Sequence, residues 1–259
     1  DAWFAVSRLN VEDQWAAGSR IQGKWIYELA EFPQRKVDSD KLKDFVDDEK
    51  AAIVLGKAFF WDMQAGSDGQ ACASCHFRAG ADLRVKNQLT PGLNRENNPD
   101  TTFQSTASGG QGGPNYTLVD DDFPFHQFND PDDRNSGVAF TTNDVAYSQG
   151  TFGGEFVSGG DDGVNDTCNI FADPVFHVGG IGVRKVEPRH TPSVINAVFN
   201  FRNFWDGRAN NVFNGVDPFG LRNEGARVFE KNGATRKVDL RNSSLASQAS
   251  GPPMSDFEM

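Results

Sequence analysis

The 259-residue chain is poor in two residue types that carry chemistry, with only three cysteines and four histidines. It also has no run of 18 apolar residues, so the sequence predicts no transmembrane helix. The net charge of −11 argues against binding to nucleic acid or to an anionic membrane. It fits a cationic partner such as a small basic electron carrier. The start Asp1-Ala2-Trp3 is typical of a trimmed N-terminus, so we expect no signal peptide within the chain.

Two of the cysteines stand in the run Cys72-Ala73-Ser74-Cys75-His76, the signature of covalent c-type haem attachment. Thiols of Cys72 and Cys75, one helical turn apart, can add to the two vinyl groups of a haem, and His76 can then ligate the iron. A zinc site would need a second ligand pair of similar spacing, and the only other cysteine is Cys168. A thioredoxin-like dithiol would need a βαβ pattern, which is missing. The motif therefore predicts one covalently bound haem c, with Cys168 as a small buried residue.

The pattern of apolar residues predicts a mainly α fold. We expect a cytochrome-c-like haem domain over 1–259, with a loop-rich insertion over 80–187 that carries short β-hairpins. Helical spacing predicts helices in 12–31, from 39 or 40 to about 61, from Pro192 onward and in 243–250. Between them Gly, Asn, Asp, Pro, Ser and Thr dominate, which predicts loops with a hairpin over 137–157. The 22 Phe and five Trp compensate for a modest apolar content.

Three segments resemble bacterial di-haem cytochrome c peroxidases, in that family's order. They are LGKAFFWD over 55–62, which leads into the haem motif, PRHTPSVINAVFN with FWDGRA over 188–209, and QASGP with the final Glu-Met over 248–259. The resemblance implies two α-rich cytochrome-c-like domains with a haem in each core and a calcium ion near their interface. Because haem is attached at C-x-x-C-H outside the bacterial cytoplasm, we expect an exported, periplasmic protein.

The resemblance also implies roles for single residues. The haem motif supplies the thioethers and, through His76, the proximal ligand. Trp205 relays electrons between the two haems, Glu258 is the acid/base that splits hydrogen peroxide, and Gln248 is a glutamine of the same pocket. A carboxylate suits this step because the proton must move from one peroxide oxygen to the other. Asp206 and Arg208 can pair with each other, pair with a haem propionate, or fix the turn.

The chain departs from the family pattern in several places. It has one C-x-x-C-H motif where the family has two, so we expect a second haem-bearing domain or subunit outside the chain. A small donor protein of the cytochrome c or cupredoxin type would supply electrons. His190 stands where compact members of the family have an asparagine of the calcium site. The sequence therefore leaves open whether this chain binds calcium. No distal histidine lines up, and His177 is the nearest candidate for a distal haem ligand. Lower-ranked ligand candidates are His126, His190, Met63, Met254 and Met259.

These features predict a periplasmic haem peroxidase unit that reduces hydrogen peroxide. The long span between the haem motif and Pro188 also resembles the di-haem rubber oxygenases, which leaves open an oxygenase acting on a hydrophobic substrate. A purely electron-transferring cytochrome c subunit is the third reading. The distal side of the iron discriminates among them, because an open site beside Glu258 favours the peroxidase.

Overall fold

Short elements separated by turns characterise the chain. The computed structural model describes residues 39–64, 69–76, 82–92, 100–159 and 167–258, together with the backbone of 20–21 and 24–25. Its α-helices are α1 (Ser39–Leu42), α2 (Glu49–Trp61), α3 (Cys72–His76) and α4 (Ser244–Ala249). Single 3₁₀ turns occur at Asp120–Asp122, Ala197–Phe199, Gly220–Arg222 and Pro252–Met254.

The strands pair in antiparallel ribbons of two. These are β1 (Arg20–Ile21) with β2 (Lys24–Trp25), β3 (Leu89–Thr90) with β6 (Val145–Ala146), β4 (His126–Phe128) with β5 (Val138–Thr141), β7 (Gly154–Ser158) with β8 (Thr167–Ile170), β9 (His177–Val178) with β10 (Ile181–Gly182), and β11 (Val228–Phe229) with β12 (Thr235–Arg236). Gly179 and Gly180, both at positive φ, make the tight turn between β9 and β10.

The prediction of a mainly α fold is wrong for the described part of the chain. Only α2, with 13 residues, exceeds two helical turns there, and a cytochrome-c-like helical core is not evident. The physical reason is local: the 27 glycines and 12 prolines interrupt helices or remove their hydrogen bonds. The predicted loop-rich stretch over 80–187 does carry short hairpins. The predicted hairpin over 137–157 is nevertheless not formed, because residues 138–141 form β5 and pair with β4.

The helix predicted from residue 39 onward forms in two pieces. α1 ends at Leu42, and α2 begins afresh after Asp48, whose carboxylate accepts hydrogen bonds from the backbone of Lys50 (2.9 Å) and Ala51 (3.1 Å). A carboxylate at this N-cap satisfies amide groups that have no partner within the helix. The short helix predicted over 243–250 is confirmed as α4.

Two other predicted helices are not observed. Most of 12–31 lies outside the described residues, and the four residues described there form β1 and β2. After Pro192 the chain forms only the 3₁₀ turn Ala197–Phe199. Asn196 and Phe204 have φ of 59° and 62°, a left-handed conformation that a continuing α-helix cannot contain.

The described residues form two compact units. The first comprises those up to Asp62, Ala71–Ala73 and Ser193–Ser255, and its buried apolar residues include Ala209 and Leu240. The second comprises those in Met63–Gln70, Ser74–Pro192 and Asp256–Met259, and its buried apolar residues include Leu89 and Val186. The assignment of 1–259 to one haem domain stays a prediction. Among the described helices, none is long and apolar enough to cross a membrane.

Candidate functional site

The haem motif folds as the short helix α3, which places Cys72 and Cys75 one turn apart as predicted. Neither thiol is in a disulfide, and neither is Cys168, which lies in the exposed hairpin of β7 and β8. Cysteine residues for thioether bonds must be outside disulfides and close together, and both conditions hold. The donor set therefore fits a covalently attached haem.

Cys75 contacts two other residues of the second unit. Its Sγ lies 3.5 Å from the guanidinium of Arg84 and 3.5 Å from the carbonyl oxygen of Gln149. Burial raises the pKa of the Cys75 thiol, and the nearby Arg84 opposes that shift. The thiol thus stays protonated until a reaction partner takes the proton.

His76 is half-buried in the same unit, and the burial of its imidazole lowers the pKa of that group. A hydrogen bond to the backbone of Pro192 and the charge of Asp82 act in the opposite direction. Because only a neutral imidazole can ligate a metal, this lowered pKa suits His76 for the role of iron ligand. The hydrogen bond to the Pro192 backbone thus fixes the orientation of the imidazole ring.

A buried ion pair lies beside the motif. The guanidinium of Arg84 makes a two-pronged contact with Asp82, with N–O distances of 2.6 and 2.9 Å, and the Asp82 side chain is fully buried. Burial alone would raise the pKa of Asp82, but hydrogen bonds from Arg84 and Ser148 hold it below its usual range. Ser148 also accepts a 3.0 Å hydrogen bond from the backbone of Thr191. The pair therefore ties the surroundings of Cys75 to the chain next to Pro192.

Residues 148–151 and 185–187 form a short antiparallel ladder, named here the 148–187 ladder. Its backbone hydrogen bonds join Glu187 to Ser148 (2.7 Å), Lys185 to Thr151 (2.7 Å) and Gly150 to Lys185 (2.8 Å). Gln149 and Val186 face each other in it. Five residues after this ladder ends, the chain reaches the proline that contacts His76.

The segment Asp256–Glu258 binds along the 148–187 ladder. The Thr151 backbone N–H donates to the Phe257 carbonyl (2.9 Å), and its hydroxyl donates to the Asp256 carbonyl (2.6 Å). The Lys185 ammonium reaches the Asp256 carbonyl and carboxylate, both at 3.2 Å, and lies over the Phe257 ring. The backbone that carries Glu258 is thus fixed by direct hydrogen bonds, while the Glu258 side chain is exposed.

Glu187 is a second carboxylate at this place, and it is not among the residues that the sequence motifs identify. It is 7% exposed, and its charge interacts with those of Glu258 and of Cys75. Burial raises the pKa of Glu187 to about 9, with Glu258 and Asp256 adding to the shift. No sequence motif marks Glu187, because the burial of residues 185–187 arises only in the folded chain.

Trp205 and Gln248 lie in the first unit. Trp205 is 82% exposed, so it is not a core aromatic residue. It follows Phe204, whose ring is covered by the guanidinium of Arg208 at 3.7 Å. Arg208 also pairs with Asp206 at 3.1 Å, so these two residues pair with each other and stabilise the turn. Gln248 is half-buried in α4.

The other ligand candidates within the described residues lie at the surface. His177 is exposed in β9, where it pairs with Gly182, and it stays only a prediction as a distal ligand. His126 is exposed in β4 and contacts the Thr141 hydroxyl at 3.2 Å. Exposed positions also include His190, Met63 and Met254. The described residues contain no group of three or more His, Cys, Asp or Glu able to hold a metal ion, and calcium stays a prediction.

The sequence profile of the di-haem cytochrome c peroxidase family matches residues 166–259. The matched segment includes Glu187, Pro192, Trp205 and Glu258, whereas the haem motif lies before it. Searches of curated proteins and of solved structures give no match. The family match supports haem as cofactor, a peroxidase-like oxidoreductase role and haem-bearing partners. Residues 166–259 are thus similar to the di-haem cytochrome c peroxidase family, the family that the sequence motifs resemble.

Proposed function

We propose that the chain is a periplasmic c-type haem peroxidase unit that reduces hydrogen peroxide. Cys72 and Cys75 would hold the haem through thioethers, and His76 would ligate its iron. When bound, the haem supplies the redox-active iron at which the oxygen–oxygen bond of peroxide is split. Glu258 moves the protons for this reaction.

One observation carries the proposal. The stretch 185–192 contacts both the segment of Glu258, through Lys185 and Asp256, and the imidazole of His76, through Pro192. The predicted acid/base and the predicted iron ligand are therefore fixed to one stretch of chain in the second unit. A chance C-x-x-C-H sequence would have no reason to be placed in this way.

The surroundings of Glu258 suit proton transfer. Reduction of H₂O₂ to two molecules of water consumes two protons and two electrons, and one proton must move between the peroxide oxygens. The exposed Glu258 carboxylate can take up protons from water. Thr151 and Lys185 fix the backbone next to it through hydrogen bonds. A positioned carboxylate is the usual general acid/base for such a step.

We further propose Trp205 as the residue that passes electrons, one at a time, from a second haem domain or subunit fed by a small donor protein. Its exposure in the first unit supports access by a partner, and its Phe204–Arg208 surroundings hold the turn in place. Gln248 is proposed as a pocket residue on the family resemblance alone.

The test compares Glu258→Gln with Glu155→Gln in the haem-loaded protein. Glu155 is an exposed glutamate of β7 and serves as a matched control. We expect Glu258→Gln to retain haem, by its absorption spectrum, and to lower peroxide turnover by roughly 10²-fold, the usual effect of losing a general acid/base. Glu155→Gln should leave turnover unchanged. Wild-type turnover in haem-loaded Glu258→Gln would overturn the proposal.

A further inference from the structure

We propose that Glu187 holds a proton beside Glu258 and passes it to the Glu258 carboxylate during peroxide reduction, so that the two residues act as a coupled acid pair. This inference rests on the acid/base role proposed above for Glu258. Glu187 acts through Glu258 and is therefore a positioning residue in this reaction. The family resemblance did not assign it any role.

The Glu187 side chain is buried. The residue is 7% exposed, and Oε1 is buried without a hydrogen-bond partner among the described residues. The Glu187 backbone N–H is already used in the 148–187 ladder. A buried carboxylate charge that lacks hydrogen bonds is strongly unfavourable, whereas a neutral carboxylic acid costs much less to bury. The surroundings therefore favour the protonated form.

The charges around Glu187 also favour its protonated form. The carboxylates of Glu258 and Asp256 disfavour a further negative charge, and the cations Arg189 and Lys185 only partly compensate. Lys185 is itself engaged with Asp256 at 3.2 Å. A buried carboxyl group near other carboxylates keeps its proton to a higher pH than an isolated one. With the pKa of Glu187 near 9, that proton is present at neutral pH.

The Glu187 carboxyl group lies close to the backbone at Gly150. A Cβ built at Gly150 would lie 3.1 Å from Glu187 Oε1 and would overlap the carbonyl oxygen of Phe257. Glu187 Oε1 and the residue preceding Glu258 thus meet at the same side of Gly150. The absence of a side chain at position 150 allows the buried acid to lie beside the segment that carries the exposed one.

The proton transfer is balanced without another reactant. The O–H bond of neutral Glu187 breaks and a new O–H bond forms on the Glu258 carboxylate, so the pair keeps one negative charge during this transfer. After Glu258 has delivered this proton to peroxide, the pair carries two negative charges until the exposed Glu258 carboxylate takes a proton from solvent and returns it to Glu187. The buried member therefore stores a proton that the exposed member exchanges with solvent.

The test uses the haem-loaded protein and does not depend on turnover alone. Infrared spectroscopy detects the C=O stretch of a protonated carboxyl group, which a carboxylate lacks. We expect a protonated-carboxyl band at pH 7 that disappears around pH 9, is missing in Glu187→Gln and remains in Glu155→Gln. In Glu258→Gln the band should disappear at a lower pH, because one repelling charge has been removed. This last result requires no substitution at Glu187.

Turnover supplies the second measurement. In the wild type, the rate of peroxide reduction should fall as pH rises through about 9, because Glu187 loses its proton there. Glu187→Gln should turn over about tenfold more slowly at pH 7 and lose this alkaline decline. Glu187→Asp, which keeps a carboxyl group, should recover part of the rate.

The outcomes separate this inference from the proposed function. A wild-type protein without the band at pH 7, or a Glu187→Gln variant with the rate and pH profile of the wild type, would overturn the coupled pair. Both results are compatible with loss of turnover in Glu258→Gln, which would leave the peroxidase proposal standing. Unchanged turnover in Glu258→Gln would instead remove the peroxidase role and the proton transfer that depends on it.

Discussion

Gly150 lies so close to Phe257 that any side chain at position 150 would overlap the Phe257 carbonyl oxygen. That oxygen accepts the hydrogen bond from the backbone N–H of Thr151, the next residue along. The close approach lets the segment Asp256–Glu258 bind along the 148–187 ladder. A residue without a Cβ is thus required at the point where Glu258 is fixed.

Replacing Gly150 by alanine should displace the segment that carries Glu258. We expect the Thr151 amide to exchange with D₂O at least tenfold faster, since its hydrogen bond to Phe257 is lost. Hydrogen exchange followed by mass spectrometry measures this. Gly225→Ala is the matched control, because only Asn223 Oδ1, at 3.4 Å, would meet a Cβ there. Equal protection of Thr151 in both variants would contradict the prediction.

Glu187 should make the protein less stable as pH rises. The pKa of Glu187 is raised from 4.5 to about 9 in the folded chain, so between these values only the folded form holds the proton. The free energy of unfolding then falls by about 1.4 kcal/mol per pH unit from this group. Its full contribution is present below pH 4.5. Urea unfolding between pH 5 and 9 measures the slope.

In Glu187→Gln the slope from this residue should vanish, because glutamine does not titrate. The control is Glu155→Gln, whose dependence on pH should follow that of the wild type. A slope in Glu187→Gln as steep as in the wild type would show that Glu187 titrates in the folded protein as it does in the unfolded chain.

Replacing Asp144 by asparagine should stabilise the folded protein. Burial raises the pKa of this carboxyl group from 3.8 to about 6, opposed by the backbone N–H of Gln104 and reinforced by Asp100. Its Oδ1 is buried without a hydrogen-bond partner among the described residues. Asp144→Asn removes the charge that is costly at pH 7 and keeps an oxygen for Gln104.

We expect Asp144→Asn to raise the free energy of unfolding by about 1–2 kcal/mol at pH 7, and by much less at pH 4, where the wild-type carboxyl group is protonated. Thermal unfolding at both pH values measures the difference. Asp132→Asn, at an exposed loop position, is the control and should be neutral. A destabilised Asp144→Asn at pH 7 would contradict this account.

Trp205→Phe should slow electron delivery to the haem without changing the stability of the protein. Because Trp205 is 82% exposed, the substitution should change the free energy of unfolding by less than about 0.5 kcal/mol. We expect unchanged haem content and slower peroxide turnover with a protein electron donor. Trp61→Phe, at another exposed tryptophan, is the control. If the two variants turn over at the same rate as the wild type, Trp205 is not the relay residue.

The helices that the sequence predicted correctly are those marked by local signals. The haem motif forms one helical turn, and the stretch before Gly251-Pro252-Pro253 forms α4, because both depend on residues close in the chain. The helix after Pro192 failed for the opposite reason. Its apolar spacing was helical, but the left-handed conformations of Asn196 and Phe204 are set by contacts that periodicity does not reveal.

The sequence predicted only some of the residues of the candidate site. Family motifs identified Glu258 and His76, each by its immediate neighbours. Glu187 was missed because its importance arises from long-range pairing: the 148–187 ladder joins residues that are far apart in sequence and leaves the carboxyl group buried. Likewise, nothing in the sequence connected Arg84 and Asp82 with Cys75. The register of the ladder and the burial of its side chains are properties of the folded chain, so sequence motifs could not predict them.

The four residues between Glu187 and Pro192 have a consequence for how this chain tolerates changes of length. Pro188, Arg189, His190 and Thr191 span the gap between the carboxyl pair and the contact with His76, and both ends are fixed by hydrogen bonds. An inserted or deleted residue here would have to release one end. The mostly exposed turns at 129–137 and 231–233 only close the β4–β5 and β11–β12 ribbons, so we expect length variation there and not in 188–191.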